Sequence, residues 1–166
     1  MKKNLILLML IMFTGHASFA KIWRVNNTGV PADFTTAQAA NDAGTVSNGD
    51  TIHIEPSGTG YGNLSLTKRL IIIGNGYFLG TSGSNSNPDL QANPAISSIG
   101  ELYISSGASG SVIMGMTVND AYIGYSTPVN NILFRRNRVL TSVYFYAAGS
   151  TNVQAKTKRL SGDSTI

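Results

Sequence analysis

Short apolar segments recur along this chain at a spacing of about 20 residues, and this spacing limits the possible folds more than any other feature. Val112, Ile132 and Val153 belong to successive segments at nearly equal intervals, and Gly74 precedes Gly115 by about two such intervals. A repeat this short, with β-type segments, Gly and Asn turns and no helix, is typical of a β-solenoid rather than a sandwich. The Leu-x-x-Leu-x-Leu pattern of a leucine-rich repeat is absent.

The predicted strands are short runs in which apolar residues alternate with polar ones or follow one another directly. They cover residues 22–25, 51–55, 64–66, 70–73, 101–104, 111–118, 131–134 and 143–146. Residues 35–43 are the one helical candidate. Ala37 and Ala40 fall on one face of that helix, and Gly44 follows as a stop signal. We therefore predict an all-β fold of stacked coils, in which this short helix covers the open end of the first coil.

Three segments of different composition divide the chain. Residues 1–20 have the features of a signal peptide, residues 21–147 contain the predicted coils, and residues 148–166 are polar and basic. Within the coils, residues 81–98 form a polar stretch with two prolines, which we expect to loop out from one corner of the stack. Because no second capping segment follows the coils, we expect this chain to be the front part of a longer protein.

The N-terminal segment predicts export from the cytoplasm. Two lysines precede a nearly unbroken apolar run over residues 5–13, which is too short to span a membrane. Ser18 and Ala20 fit the −3 and −1 positions that signal peptidase requires, so we predict cleavage between Ala20 and Lys21. The expected location is extracellular or at the cell surface, with the periplasm also compatible. We expect no membrane association once the leader is removed.

The composition excludes several other classes of protein. The chain has no cysteine, so disulfides and thiolate metal sites are excluded and stability must come from packing and backbone hydrogen bonds. Of its 12 Lys and Arg residues, two belong to the predicted leader, which leaves 10 against 8 Asp and Glu. This small excess does not predict nucleic-acid binding, which needs basic residues concentrated on one face.

Several segments carry motifs that can be compared with known folds. The predicted coils open with Phe-Thr-Thr-Ala-Gln-Ala-Ala at 34–40 and Gly-Asp-Thr-Ile-His-Ile at 49–54, with Pro56 beyond. Residues 72–77, 112–118 and 131–137 read as later strands with their Gly or Asn turns. Over roughly residues 21–140, these motifs resemble those of pectate-lyase-like right-handed parallel β-helix proteins. The resemblance implies a right-handed parallel β-helix with a short N-terminal capping helix. It does not specify an activity, since this scaffold carries lyases, hydrolases, epimerases and non-catalytic adhesins.

The acidic residues do not form the sites that enzymes of this family use. The family's polyuronate lyases hold Ca²⁺ with carboxylates on neighbouring coils, and Ca²⁺ takes six to eight oxygen ligands. Only Glu101 and Asp120, about one coil apart, and Asp89 in the polar stretch are available. We therefore expect no cofactor, with Ca²⁺ as the one alternative. A hydrolase would need paired carboxylates on adjacent strands, and no predicted strand carries an Asp next to another acid.

The candidate binding residues are arginines and tyrosines. Arg135, Arg136 and Arg138 are the densest charge cluster and could bind uronate or sulfate groups, or could simply be a solvated turn. Exposed tyrosines can stack on sugar rings, and Tyr103 and Tyr144 are the candidates on predicted strands. The faces of Tyr122 and Tyr125 are left unassigned, because a register slip of one residue exchanges the two faces of a strand. His53 and Glu55 are interpreted as an ordinary surface pair, and no residue is predicted to be catalytic.

Three functions remain open from the sequence. The favoured one is a secreted, non-catalytic protein that binds glycan or contributes to a surface adhesin. The second is the N-terminal fragment of a polysaccharide lyase or glycoside hydrolase whose catalytic coils lie beyond residue 166. The third is a structural solenoid that self-associates through its uncapped C-terminal end. Polysaccharide is the expected partner in the first two cases.

Overall fold

A computed structural model of the protein describes residues 20–76, 95–146 and 149–157. The predicted leader up to residue 19, Asp89 and the residues after 157 lie outside this described part. Its elements are β1 (Ile22–Val25), α1 (Ala37–Asp42), β2 (Thr51–Ile54), β3 (Leu64–Leu66), β4 (Ile71–Gly74), β5 (Ser98–Ile104), a 3₁₀ helix (Ser106–Ala108), β6 (Val112–Met114), β7 (Thr117–Ile123), β8 (Leu133–Phe145) and β9 (Gln154–Thr157). No helix in this described part is long and apolar enough to cross a membrane.

The strands form one curled parallel sheet with the order β1-β2-β4-β6-β8-β7-β5-β3, and β9 also pairs with β8. The sheet has two arms. The first arm contains β1, β2, β4, β6, β9 and the start of β8. The second arm contains β3, β5, β7 and the end of β8. From β2 onward the chain passes alternately through the two arms, adding a strand to each in turn. The predicted all-β class with parallel strands is therefore confirmed.

The register of the first arm reproduces the repeat length. Thr51 pairs with Ile71 and Val112 pairs with Leu133, so these two coils take about 20 residues each. Ile71 pairs directly with Val112, so the interval from Gly74 to Gly115 is one long coil and not the predicted two. The predicted alignment of Val112 with Ile132 is wrong by one position. Ile132 is buried, whereas Val112 is only partly buried. The two apolar runs therefore begin on opposite faces, and matching their first residues shifts the register.

Two predicted strand boundaries are also wrong, both at the corner between the arms. The predicted strand 111–118 is two strands, because Gly115 takes a left-handed φ of 71° and turns the chain from β6 toward β7. Conversely, the predicted strands 131–134 and 143–146 belong to one continuous strand, β8. Here Arg136 adopts the left-handed conformation with a φ of 53°. The register of β8 shifts at this corner, between Arg135 and Asn137, and again beyond it, between Val139 and Ser142.

The helix is shorter than the predicted 35–43 because both of its ends are fixed by backbone conformation. Thr36 is extended and its hydroxyl accepts a hydrogen bond from the Ala39 amide at 3.0 Å, so the helix begins after it. Ala43 leaves the helical region at the other end. Asn41 connects the helix to the second arm, donating to the Thr67 hydroxyl and accepting from the Thr67 amide. The helix contacts β1, β2 and β3.

The core consists of columns of apolar side chains that repeat along each arm. In the first arm, paired inward positions carry Ile52, Ile72, Ile113 and Phe134, all nearly inaccessible to water. In the second arm, Leu66, Ile104 and Ile123 occupy equivalent positions. Inward residues alternate with outward ones, so fixing these columns also fixes which side chains face water.

The polar stretch ends earlier than its predicted boundary at residue 98. Ser97 is completely buried, and its hydroxyl donates to the carbonyl of Ile54 at 2.6 Å. Its amide is held by the side chain of Asn75, which also donates to the carbonyl of Ala95. These bonds tie residues 95–98 to the corner of the stack, so Ser98 already belongs to β5. Residues 77–94 lie outside the described part.

Candidate functional site

A column of three tyrosines runs up the outer face of the second arm. Tyr103 on β5, Tyr122 on β7 and Tyr144 on β8 pair directly in the sheet register. Their ring centroids are 4.7 and 4.9 Å apart, and the successive ring planes differ by only 10° and 11°. This separation equals the spacing of neighbouring strands, so the sheet itself holds the rings in a stack.

Two further tyrosines flank this column just beyond the strand ends. Tyr125 meets the rings of Tyr103 and Tyr122 edge-on, with centroids 5.4 and 5.9 Å away. Tyr146 lies 5.2 Å from Tyr125 at 88°. Tyr125 can return onto the column because Gly124 has a φ of 75° and reverses the chain after β7. We call Tyr103, Tyr122, Tyr125, Tyr144 and Tyr146 the tyrosine surface.

The tyrosine surface keeps its outer rings accessible to solvent. Tyr125 is 55% exposed, Tyr144 is 42% exposed and Tyr146 is 41% exposed. Tyr103 and Tyr122 are partly covered, because each lies against neighbouring rings. The three outer rings therefore offer apolar ring area and phenol groups to a ligand, while the two inner rings support them.

A second column, two residues before each stacked tyrosine, carries acidic and polar side chains. Glu101, Asp120 and Ser142 pair in register on β5, β7 and β8. Glu101 Oε2 accepts hydrogen bonds from Asn63 Nδ2 at 2.9 Å and from the Tyr103 hydroxyl at 3.1 Å. Loss of surrounding water, followed by this bond to Glu101, raises the pKa of Tyr103 to about 12. The Tyr103 phenol therefore stays protonated at any physiological pH.

Glu101 and Asp120, expected about one coil apart, pair directly on β5 and β7. The search for an Asp next to another acid within one strand does not detect this pair, because the two residues belong to successive coils. Asp120 is buried, and its Oδ2 accepts from Asn119 Nδ2 at 2.8 Å. Its Oδ1 has no partner among the described residues. Burial, followed by the charge of Asp120, raises the pKa of Tyr122.

These two carboxylates do not extend into a metal site in the described part of the chain. That part has no cluster of three or more His, Asp or Glu side chains that could hold a metal ion. Asp89, the third acid considered from the sequence, lies outside it.

The three arginines lie away from the tyrosine surface. Arg135 is on the first arm, opposite Met114 on β6 and Lys156 on β9. Arg136 occupies the corner, and Arg138 begins the second arm opposite Thr117. Six residues of extended strand separate Arg138 from Tyr144, a distance of about 20 Å. The predicted set of three arginines with Tyr103 and Tyr144 is therefore not brought together as one site.

The remaining candidates have structural roles or lie outside the described residues. Tyr61 is buried, and its hydroxyl donates to the carbonyl of Glu55 at 2.9 Å. Glu55 does not rely on His53, because its carboxylate accepts from Arg24 Nε at 2.5 Å and from Asn26 Nδ2 at 2.6 Å. Tyr77 lies outside the described part. The sequence did not distinguish surface rings such as Tyr144 from a core ring such as Tyr61.

The Arg24–Glu55 pair predicts a loss of stability in acid. The bond from Arg24 and the further bond from Asn26 lower the pKa of Glu55 below its ordinary value of 4.5 despite partial burial. A lowered carboxyl pKa contributes stability above the unfolded-state value, and this contribution disappears as the pH falls through the folded-state value. We expect Glu55→Gln to flatten the fall in unfolding free energy below pH 4.5, measured by urea titration at a series of pH values. If Glu55→Gln leaves the slope of unfolding free energy against pH unchanged, Glu55 is not the source of the acid sensitivity.

The tyrosine surface carried a sequence signal that the strand search did not use. Tyr103, Tyr122 and Tyr144 follow one another at intervals close to the repeat length. A residue type that recurs at the coil period is expected to form a column, whichever face it occupies. What the spacing leaves open is the face, because that depends on the register.

Comparison of the chain with protein-family models, with curated proteins and with solved structures found no match.

Proposed function

We propose that this protein is a secreted, non-catalytic carbohydrate-binding protein, and that the tyrosine surface is its binding site. The single observation that carries this proposal is the tyrosine surface, in which a register-aligned column supports the exposed rings of Tyr125, Tyr144 and Tyr146. Sugar rings have apolar faces that pack on aromatic rings, while their hydroxyls bond to nearby polar groups. Both kinds of partner are present here, because the acidic and polar column runs beside the tyrosines.

The proposed scaffold is a right-handed parallel β-helix in which α1 covers the first coil. The alternation of the chain between two parallel arms supports a coiled path, and the contacts of α1 with β1, β2 and β3 support the covering role. Such a scaffold presents a flat outer face on which a polysaccharide can lie across several coils. The right hand follows the general preference of parallel crossover connections.

The charges beside the tyrosines indicate which sugars would bind. Glu101 and Asp120 lie in the column next to the rings, whereas the three arginines are on another part of the molecule. An acidic glycan such as polygalacturonate would meet like charge at this surface. We therefore propose a neutral or amino-sugar polysaccharide as the ligand class, in place of the uronate suggested by the arginine cluster.

Export is part of the proposal, with cleavage between Ala20 and Lys21. Lys21 is the first residue bonded into the sheet, since its carbonyl accepts from the amide of Thr51 at 2.8 Å. Ala20 is exposed, and β1 begins at Ile22. Cleavage at this bond would leave every strand of the described fold intact.

The test is a binding titration with soluble oligosaccharides of neutral, amino-sugar and uronate type. We expect Tyr144→Ala or Tyr125→Ala to weaken binding of the neutral or amino-sugar ligand about tenfold each, which corresponds to about 1.4 kcal/mol. Loss of one aromatic contact is enough to give this effect. Isothermal calorimetry measures it directly. Uronate oligomers are expected to bind most weakly.

Leu140→Ala is the matched control for this titration. Leu140 lies on β8 like Tyr144 and is 54% exposed, but it has no ring to stack on a sugar. Its removal should leave the affinity unchanged within about twofold. Equal losses from the tyrosine and leucine variants, or no binding of any sugar class by the wild-type protein, would overturn the proposal.

A glycoside hydrolase is the second candidate, and the Glu101–Asp120 pairing is the observation that favours it. Carboxylates on adjacent strands can act as acid and as base or nucleophile on a bound sugar. Both acids here are engaged in hydrogen bonds with neighbouring side chains, which is why binding is the first proposal. Release of reducing ends that Glu101→Gln abolishes would replace the binding proposal with this one.

A further inference from the structure

Asp50 lies buried at the start of the first arm and gathers three hydrogen-bond donors. Its Oδ1 accepts from the backbone nitrogen of Lys21 at 2.9 Å. Its Oδ2 accepts from the indole Nε1 of Trp23 at 2.8 Å and from the amide of Ser47 at 2.9 Å. Only 5% of Asp50 is exposed. The carboxylate is therefore fixed in position and has one oxygen directed at the backbone nitrogen on which leader removal would act.

That nitrogen changes chemically when the leader is removed. In the uncleaved chain it is a neutral amide with a single N–H. Hydrolysis of the Ala20–Lys21 bond adds water across the peptide, giving a carboxylate on Ala20 and an amine on Lys21 that takes up a proton. The product is an ammonium group with three N–H donors, placed next to a carboxylate oxygen that already accepts from the same atom.

We infer that Asp50 is the binding site for the α-ammonium group that leader cleavage creates on Lys21. The site needs no rearrangement, because the nitrogen already lies 2.9 Å from Oδ1. The donor changes from a neutral amide to an ammonium group, so the bond to the carboxylate becomes an ion pair with charge on both partners. Leader removal would therefore strengthen the contact between the residue before β1 and the residue before β2, where the sheet begins.

The surroundings keep Asp50 in its charged form. Burial alone would raise its pKa, but the hydrogen bonds from Lys21, Ser47 and Trp23 lower it. Among the described residues, the charge that acts on Asp50 is that of Lys21 itself, whose side-chain ammonium lies over the Trp23 ring, 3.3 Å from its centroid. Trp23 thus holds the carboxylate through its indole N–H and the lysine side chain through its ring face. This arrangement keeps the lysine side chain on the ring and leaves Oδ1 to the main-chain nitrogen.

The inference rests on the proposed leader cleavage but is independent of sugar binding. Its test uses the mature protein secreted with its own leader, whose first residue is identified by mass spectrometry. An NMR pH titration then follows the first residue of that protein. We expect the α-amino group to titrate at least about one pH unit above its usual range of about 7.7–8.0, as a nearby opposite charge requires.

A double-mutant cycle supplies the second measurement. N-terminal acetylation should raise the equilibrium constant for unfolding of the wild-type protein about fivefold to tenfold. The acetyl group removes the positive charge but keeps one hydrogen-bond donor on the nitrogen. The same acetylation should have less than about a twofold effect in Asp50→Asn. Asp42→Asn, which changes an exposed carboxylate on α1, is the control and should keep the full effect of acetylation.

The outcomes separate this inference from the proposed function. An α-amino group that titrates within its usual range, or equal acetylation effects in all three proteins, would overturn the inference and leave sugar binding untouched. A mature N-terminus other than Lys21 would overturn it as well, together with the proposed cleavage site. Loss of sugar binding with a raised α-amino pKa would overturn only the carbohydrate proposal.

Discussion

Gly115→Ala is expected to destabilise the fold by about 2–5 kcal/mol, which is a large part of the stability of a typical domain. A Cβ atom at this position would lie 2.7 Å from the carbonyl oxygen of Gly74 on the neighbouring coil. Gly115 also has a φ of 71°, a conformation that costs a residue with a side chain about 1–2 kcal/mol. The contact involves backbone atoms of both coils, so relieving the clash would require the backbone itself to move. Urea unfolding followed by circular dichroism measures the loss.

The close approach between the coils should contribute more to this loss than the backbone conformation. Arg136 occupies the equivalent corner position one coil later and tolerates a φ of 53° with a full side chain. Gly74→Ala tests the contact from the other side, because its Cβ would clash with the carbonyl oxygen of Gly115. Gly44→Ala is the control, since no atom lies within 4 Å of a Cβ there. A Gly115→Ala protein as stable as Gly44→Ala would show that the coils are not in contact at this corner.

Asn137→Ala is expected to cost about 2–4 kcal/mol, the second largest of these effects. Asn137 is completely buried at the corner of β8. Its Oδ1 accepts from the amide of Met116 and its Nδ2 donates to the carbonyl of Ile113, each at 3.0 Å. Alanine would remove both of these bonds from backbone groups of the preceding coil. A buried backbone group that loses its partner costs about 1–3 kcal/mol.

The matched control for Asn137 is an asparagine that also bonds to backbone but lies at the surface. Asn48 is exposed, and its Oδ1 accepts from the amide of Arg69 at 3.0 Å. Water can replace that bond, so Asn48→Ala should cost no more than about 1 kcal/mol. Thermal and urea unfolding of the two variants side by side give the comparison. Equal losses would show that burial of the Asn137 side chain is not the source of its effect.

The parts of the fold that follow from alternation could be predicted from the sequence. Ile52 and Ile54 alternate with polar residues, as do Leu64 and Leu66, and all four are buried. A strand with one face in the core must show this period of two. The repeat length was also visible, because the coils from β2 to β4, from β6 to β8 and from β8 to β9 use nearly the same length of chain.

The corners between the arms could not be predicted, because their signals conflict. Gly115 interrupts an apolar run without any polar neighbour, so nothing in the sequence separates β6 from β7. Arg136 takes a left-handed conformation. A glycine or asparagine at this position would have indicated it in the sequence, but an arginine does not. Its neighbour Asn137 was assigned to a turn, yet it is buried within β8.

For the tyrosine surface, the spacing of the tyrosines could be predicted from the sequence, but the face that they occupy could not. The recurrence of Tyr103, Tyr122 and Tyr144 near the coil length was available from the sequence. Their common outward face was not, since a slip of one residue would have turned the rings into the core. Tyr125 joined the surface through the turn at Gly124, which no periodicity encodes.

The continuity of β8 across the corner has a consequence for how the molecule comes apart. In most stacked repeats each unit touches only its neighbours, so the ends can fray while the middle stays folded. Here the first part of β8 bonds to β6 and β9, and its last part bonds to β7. Melting of this strand would remove the hydrogen-bonded link between the two arms. β8 should therefore couple the arms, and their amide protons should exchange with solvent as one cooperative unit.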